Sequence, residues 1–267
     1  MFSKLNHLEK ILKKLGRVLV AYSGGVDSAF LLLAAIKFLG RENVFAVIAE
    51  SETYPRAEKK SAVSLAKKLR VKYQVILTEE LKNKNFADNP VERCFWCKNE
   101  LFAKLTVLAD QKKMVVVDGL NYSDRGDFRP GVKAAAKWNV LHPLQQAKLT
   151  KEEIRFWSRE WDLPTWDKPA QACLASRFPY GQPITGESLG RIERAEKNLS
   201  KLGFKIIRVR HYGSTARIEV GKNELIKIIK DDIREKIISS FKKLGYQYVT
   251  LDLAGYRTGS MNVSLKA

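Results

Sequence analysis

The hexapeptide Ser23-Gly24-Gly25-Val26-Asp27-Ser28 follows a run of β-formers at residues 17–22 (RVLVAY) and precedes residues 29–36, which are apolar on every side. A strand that feeds directly into an all-round apolar helix belongs in a layered fold, where both are covered. The hexapeptide must therefore be a tight strand-to-helix turn. Two adjacent glycines open backbone angles closed to other residues. They also let successive N–H groups converge on an anion at the positive end of the helix. Ser23 and Ser28 can add hydroxyl donors, so the turn is predicted to hold phosphate. Replacing Gly24 is expected to disturb anion geometry rather than packing. The turn is not the common nucleotide loop, because the Lys-Ser/Thr ending of G-x-x-x-x-G-K-[ST] is missing. With it goes the lysine that would clamp the β and γ phosphates.

Strands predicted at residues 17–22, 43–49, 72–77 and 114–117 alternate with helices beginning near residues 29, 55 and 91. Such alternation gives an α/β fold with a doubly wound, mostly parallel sheet. Ligand then sits beyond the carboxyl ends of the strands, where the glycine turn lies. Glu50-Ser51-Glu52 follows the second strand and Gly119-Leu120-Asn121 the fourth, both placed to line an adenosine pocket. Residues 148–160 read as a helix opened by Thr150, with Glu153 completing a capping box. Residues 163–183 hold four prolines and no sustained period, as in an active-site loop and connector. Thr185 opens a further helix. A β pair at 205–212 and 215–220, two short helices and a strand at 246–251 follow as a smaller α+β module. The expected division is 1–165, a connector 166–184 with Cys173, and 185–267.

The net charge is +19 over 267 residues. Lysines are scattered over polar helix faces with no dense basic tail, so we read a lysine-rich surface; tRNA is the alternative partner. Near the start of the chain, Leu5, Leu8, Ile11, Leu12 and Leu15 share one side, as in a docking helix. The segment lacks the apolar core and cleavage site of a signal peptide, and no apolar run approaches a membrane span. A cytoplasmic protein without a membrane partner is expected.

Three cysteines occur: Cys94 and Cys97 in NPVERCFWCKNE, and Cys173 in PAQACLASRFPYG. Too few for a disulfide scaffold, they fall one short of a four-ligand zinc site unless a histidine joins. Three thiolates on one iron–sulfur cluster would leave one iron open to a non-protein ligand such as sulfide. Cys94-x-x-Cys97 at a helix start places both thiols on one side, near N–H groups that favour thiolate. By spacing alone, buried thiols or a redox pair with a lone cysteine are equally good readings. Arg208 and Arg210 lie two apart on a predicted strand and so share a face; arginine pairs suit phosphate through bidentate bonds.

SGGVDS matches the pyrophosphate loop (PP-loop) of the ATP pyrophosphatase superfamily. Three further motifs accompany it: NPxxRCxxCKxxL at 89–101, GxNxxDxxDxRPG at 119–131 and PxxACLASRxPYG at 169–181. In this order, over nearly the whole chain, they resemble the ATP-dependent sulfur transferases of nickel-pincer nucleotide assembly. The resemblance implies adenylation of a carboxylate on a pyridinium dicarboxylate mononucleotide, release of pyrophosphate, and displacement of AMP by sulfur to leave a thiocarboxylate. It implies ATP bound by Ser23, Gly24, Gly25, Asp27, Ser28, Glu50, Gly119 and Arg125, with Asp27 assisting Mg2+. It also implies substrate contacts from Ser176, Arg177, Glu196, Arg208 and Arg210. In members with one cysteine, the residue matching Cys173 gives up its sulfur. Members with three resemble this chain, and for them the implied carrier is a [4Fe–4S] cluster on Cys94, Cys97 and Cys173 that holds an extra sulfide. Sulfide or another sulfur donor and a homo-oligomer are implied as partners. A PP-loop tRNA thiolase and an amide-forming ligase of the GMP or NAD synthetase kind are the alternatives.

Overall fold

The computed structural model describes residues 1–126, 129–169, 172–257 and 259–261. Residues 127–128 and 170–171, which belong to two of the four motifs, lie outside the described residues. Two compact units are present: Met1–Asn83 with Glu92–Gln171, and Lys84–Val91 with Ala172–Ala267.

In the first unit β1 (Val18–Ala21), β2 (Val44–Glu50), β3 (Lys72–Leu77) and β4 (Val115–Val117) form one parallel sheet in the order β3-β2-β1-β4. The long helices are α1 (Phe2–Leu15), α2 (Val26–Leu39), α3 (Arg56–Lys68), α4 (Arg93–Lys112) and α5 (Lys151–Glu160). Strand alternation divides the core in two. Val18 and Val20 pack with α1, α2, α3 and α5 in one cluster, whereas Leu19 and Val47 pack with Phe102, Leu105 and Ala109 of α4 in another. Both sheet faces are thus covered by helices, as parallel strands require. Every residue from Ala29 to Ile36 is buried, so the all-round apolar character of α2 is explained by its central place. Leu5, Leu8, Ile11, Leu12 and Leu15 of α1 all join the same cluster. Thr150 and Glu153 cap α5 reciprocally, and Lys4 of α1 bonds Glu153 at 2.8 Å. In the order 3-2-1-4 the chain reverses direction between β1 and β4, which opens the ligand crevice of a doubly wound sheet at their carboxyl ends.

The second unit has a sheet β5-β6-β7, formed by Ile207–Tyr212, Thr215–Val220 and Tyr248–Leu251. The β5–β6 pair is an antiparallel hairpin, and β7 joins β6 in parallel. α6 (Gly186–Lys201) and α7 (Asp231–Lys243) cover one face through Ala195, Leu199, Ile237 and Phe241, packed on Val209, Ile218 and Val220. Thr185 caps α6 by accepting from the Ser188 N–H. Residues 84–91 join this unit through main-chain bonds: Gly181 N–H donates to the Asn89 carbonyl and Ile184 N–H to that of Ala87. The fully buried Asn89 amide donates in turn to the carbonyls of Pro179 (2.6 Å) and Gln182 (3.0 Å). The asparagine of the cysteine-pair motif is therefore a structural tie for the chain that follows ACLASR.

Candidate functional site

The glycine turn lies at the carboxyl end of β1, with Gly25 as N-cap of α2. Only Gly24 uses the left-handed region, at φ +68°; Gly25 is extended at φ −76°, ψ 168°. A side chain at Gly24 would start 2.8 Å from the Ala62 Cβ of α3 and 3.2 Å from its Cα. Gly24 is therefore fixed by packing as well as by backbone angle, which corrects the expectation of a purely anion-shaping role. Gly119, just past β4, makes a second close approach: a Cβ there would lie 2.9 Å from the Ser28 N and 3.1 Å from the Asp27 carbonyl carbon. Its bare Cα lets the end of β4 touch the first turn of α2. The two serine hydroxyls bond each other at 3.1 Å, and Ser28 Oγ also donates to the Gly25 carbonyl.

Several groups that sequence reading did not single out brace this turn. Tyr54 donates its hydroxyl to the Ser23 carbonyl. Lys168 donates to the Gly24 carbonyl at 3.1 Å and pairs with Glu58 of α3 at 2.5 Å. Asp118, after β4, accepts from the Leu120 N–H and bonds His142 Nδ1 at 2.6 Å, fixing the turn that carries Gly119. Asp27 sits in the first turn of α2 with its Oδ1 buried and without a hydrogen-bond partner among the described residues. Burial raises the Asp27 carboxyl above its usual range, and Lys151 opposes the shift. An unpartnered carboxylate oxygen beside an anion-shaped turn fits a hard cation such as Mg2+.

Glu50 ends β2 and pairs with Lys59 of α3. It lines a cavity of about 340 Å3 with Ser51, Tyr54, Thr78 and Glu79 beyond β2 and β3. The buried Glu80 accepts from the Ser51 and Thr53 hydroxyls at 2.8 and 2.5 Å and so holds the chain after β2. Arg125 is exposed and lies over the Tyr122 ring at 5.2 Å.

In the second unit Ser176, Arg177, Glu196 and Arg210 form one hydrogen-bonded network, and Arg208 lies within the field of its charges. Arg177, 1% exposed, makes a bidentate pair with Glu196 at 2.9 and 3.0 Å. Its remaining donors reach the carbonyls of Ala172 and Cys173 and the Ser176 hydroxyl. Arg210 makes a second bidentate pair, with Glu219 at 2.9 and 2.6 Å, and donates to the Ser176 carbonyl and Ser260. Arg208 is buried over the Tyr256 ring at 5.1 Å, and burial together with the Arg177 charge lowers its pKa. The strand face carrying both arginines is thus covered, not solvated. Glu219, fully buried, was not foreseen; the hairpin register sets it opposite Arg208.

Cys94 is exposed and Cys97 half-buried in the first turn of α4; Cys173, half-buried, precedes the short turn Leu174–Arg177. None of the three is in a disulfide among the described residues. Among the described residues no group of three or more His, Cys, Asp or Glu is placed to hold a metal ion.

Comparison with known proteins decides between the families that use such a turn. The NAD synthase family profile matches residues 3–94, which carry the glycine turn. Over 255 residues the chain is 36% identical to pyridinium-3,5-bisthiocarboxylic acid mononucleotide synthase of Lactiplantibacillus plantarum, covering 95% of this chain and 92% of that one. The chain belongs to this synthase family. An uncharacterised Synechocystis protein is 40% identical over 97% of both chains, and one from Methanocaldococcus jannaschii is 32% identical over 96% of both. These alignments span both units, whereas the NAD synthase match ends at the start of α4. No described helix is long and apolar enough to cross a membrane.

Two predictions follow from the packing of these sites. Gly24→Ala should cost about 1–3 kcal/mol of stability in urea denaturation, because it meets both a positive φ and the Ala62 contact. Gly25→Ala, whose Cβ would meet only Ser23 Oγ at 3.5 Å, should fold normally. Arg210→Ala should cost about 1–3 kcal/mol by removing the two hydrogen bonds it gives the buried Glu219, which keeps only Arg217 at 3.3 Å and Ser260. Equal stability of that variant and wild type in the same denaturation would contradict the pairing.

Proposed function

We propose that this chain is an ATP-dependent sulfur transferase acting on a pyridinium dicarboxylate mononucleotide. A substrate carboxylate oxygen attacks the α-phosphorus of ATP, the bond to the β-phosphate oxygen breaks, and pyrophosphate leaves. A sulfur nucleophile then adds to the carbonyl carbon of the acyl adenylate, the acyl C–O bond breaks and AMP leaves. Sulfide gives the thiocarboxylate directly, whereas the Cys173 thiolate gives a thioester whose Cβ–S bond then breaks by loss of the Cα proton, leaving dehydroalanine. The activation step is needed because oxide is a very poor leaving group. The observation that carries this reading is the full-length likeness to the mononucleotide synthase, since it spans both units.

The N–H groups at the start of α2 and the hydroxyls of Ser23 and Ser28 bind ATP phosphate. Glu50, Gly119 and Arg125 frame the nucleoside. Asp27 would hold Mg2+, which would neutralise phosphate charge there. Arg208 binds the substrate phosphate, while Arg177, bidentate to Glu196, and Arg210, bidentate to Glu219, hold Ser176 and the surrounding chain in position. This shifts the anion-binding role of the arginine pair towards Arg208. Cys173, beside Arg177, supplies or carries the sulfur. The thiolates of Cys94, Cys97 and Cys173 would hold a [4Fe–4S] cluster, which would supply sulfide in place of a sacrificed thiol; no step is derived through it. A small sulfur donor, a homo-oligomer and a cytoplasmic setting complete the proposal.

Asp27→Asn tests the activation step. Because the folded pKa of Asp27 is raised, its ionised form costs native stability at neutral pH, and that cost is relieved as pH falls through the folded value. The asparagine variant should therefore melt no lower than wild type while pyrophosphate release falls about a hundredfold or more. Anaerobic reaction of wild type with ATP and the dicarboxylate nucleotide should yield the thiocarboxylate by mass spectrometry. Intact mass of the enzyme then separates the sulfur sources: loss of hydrogen sulfide at residue 173 marks a sacrificed cysteine. An unchanged mass with repeated turnover on added sulfide marks a carrier. Pyrophosphate release in Asp27→Asn equal to wild type would sink the assignment of the loop.

A further inference from the structure

The glycine turn lacks the lysine that nucleotide loops of the G-x-x-x-x-G-K-[ST] type carry, yet a lysine stands beside it. Lys168 Nζ lies 3.1 Å from the Gly24 carbonyl oxygen and 2.5 Å from Glu58 Oε2. The pair is largely withdrawn from water, with side-chain exposures of 18% and 15%. Its backbone is anchored as well: Arg155 of α5 donates to the carbonyls of Trp166 at 2.6 Å and Lys168 at 2.7 Å. A capped helix thus presents this one ammonium to the loop from 144 residues away in sequence.

We propose that Lys168 grips the β and γ phosphates of ATP and stabilises pyrophosphate as it leaves. This rests on the reading of the loop as an ATP site. An ammonium has three donors, and two are placed on Gly24 and Glu58; the third is available to an anion seated in the turn. Lysine binds phosphate as a point charge on a flexible stem, so no bidentate geometry is required. Among the described residues, Arg155 is spent on the two carbonyls. Charge that builds up on departing pyrophosphate needs a fixed cation in a water-poor site, and the Lys168–Glu58 pair is such a site. Before nucleotide arrives Glu58 neutralises the ammonium and competes with phosphate for it.

Binding of ATP, inorganic pyrophosphate and AMP to Lys168→Met, measured by calorimetry, tests the assignment. ATP and pyrophosphate should each bind about ten- to a hundredfold more weakly than to wild type, while AMP, which lacks both outer phosphates, binds within about twofold. Lys168→Arg should restore most of the loss. If Lys168→Met is poorly folded, Glu58→Gln serves instead. A clamp predicts ATP affinity kept or increased when the competing carboxylate is removed, whereas a purely structural pair predicts that ATP and AMP weaken together. Equal weakening of ATP and AMP in either variant, or unchanged ATP affinity in a folded Lys168→Met, overturns the lysine assignment alone. A wild-type protein that binds none of the three ligands overturns the loop reading with it.

Discussion

Close backbone contact at two glycines holds the first unit's site in shape. Gly24 lies against Ala62 of α3, and Gly119 against the first turn of α2, so β1, β4 and two helices meet around one short turn. Neither contact leaves room for a methyl group without movement. The buried α2 behind the turn makes its N-terminus a rigid source of N–H donors. Everything else near the turn is arranged on this frame: Asp27 within the helix, Asp118–His142 below Gly119, and Tyr54 and Lys168 on the loop carbonyls.

The second unit solves a different problem, that of keeping several arginines buried. Arg177 and Arg210 are each matched bidentately by a carboxylate, and both Glu196 and Glu219 make further bonds: Glu196 accepts the Val209 N–H and Glu219 accepts from Ser260. Buried ion pairs of this kind contribute little net stability compared with apolar packing, but removing one partner is costly. Their worth lies in holding guanidinium groups at fixed positions, and Arg208 gains its place from the strand they fix. A site prepared for an anion is a reasonable outcome of such an arrangement.

What was legible in the sequence was local. The parallel α/β fold could be read because strand and helix periods alternate cleanly, and the capping residues Thr150 and Thr185 act within one turn of chain. The glycine turn was legible for the same reason, although the sequence could not tell that Gly24 alone takes a positive φ. Contacts distant in sequence were not legible. Lys168 meets Gly24 across 144 residues, and Asn89 meets Pro179 across 90. Residues 84–91 join the second unit by main-chain bonds that leave no mark on side-chain pattern. Glu219 could have been found by pairing the predicted hairpin strands, since that register places a carboxylate opposite Arg208.

The central claim is that the glycine turn activates a carboxylate of a pyridinium nucleotide by adenylation. Isotope exchange between labelled pyrophosphate and ATP, run without any sulfur source, isolates that step. Exchange should appear when the pyridinium dicarboxylate mononucleotide is added and should be absent with the nucleotide lacking its carboxylates. Exchange that needs tRNA or nicotinic acid adenine dinucleotide instead, with none on the dicarboxylate, would contradict the account.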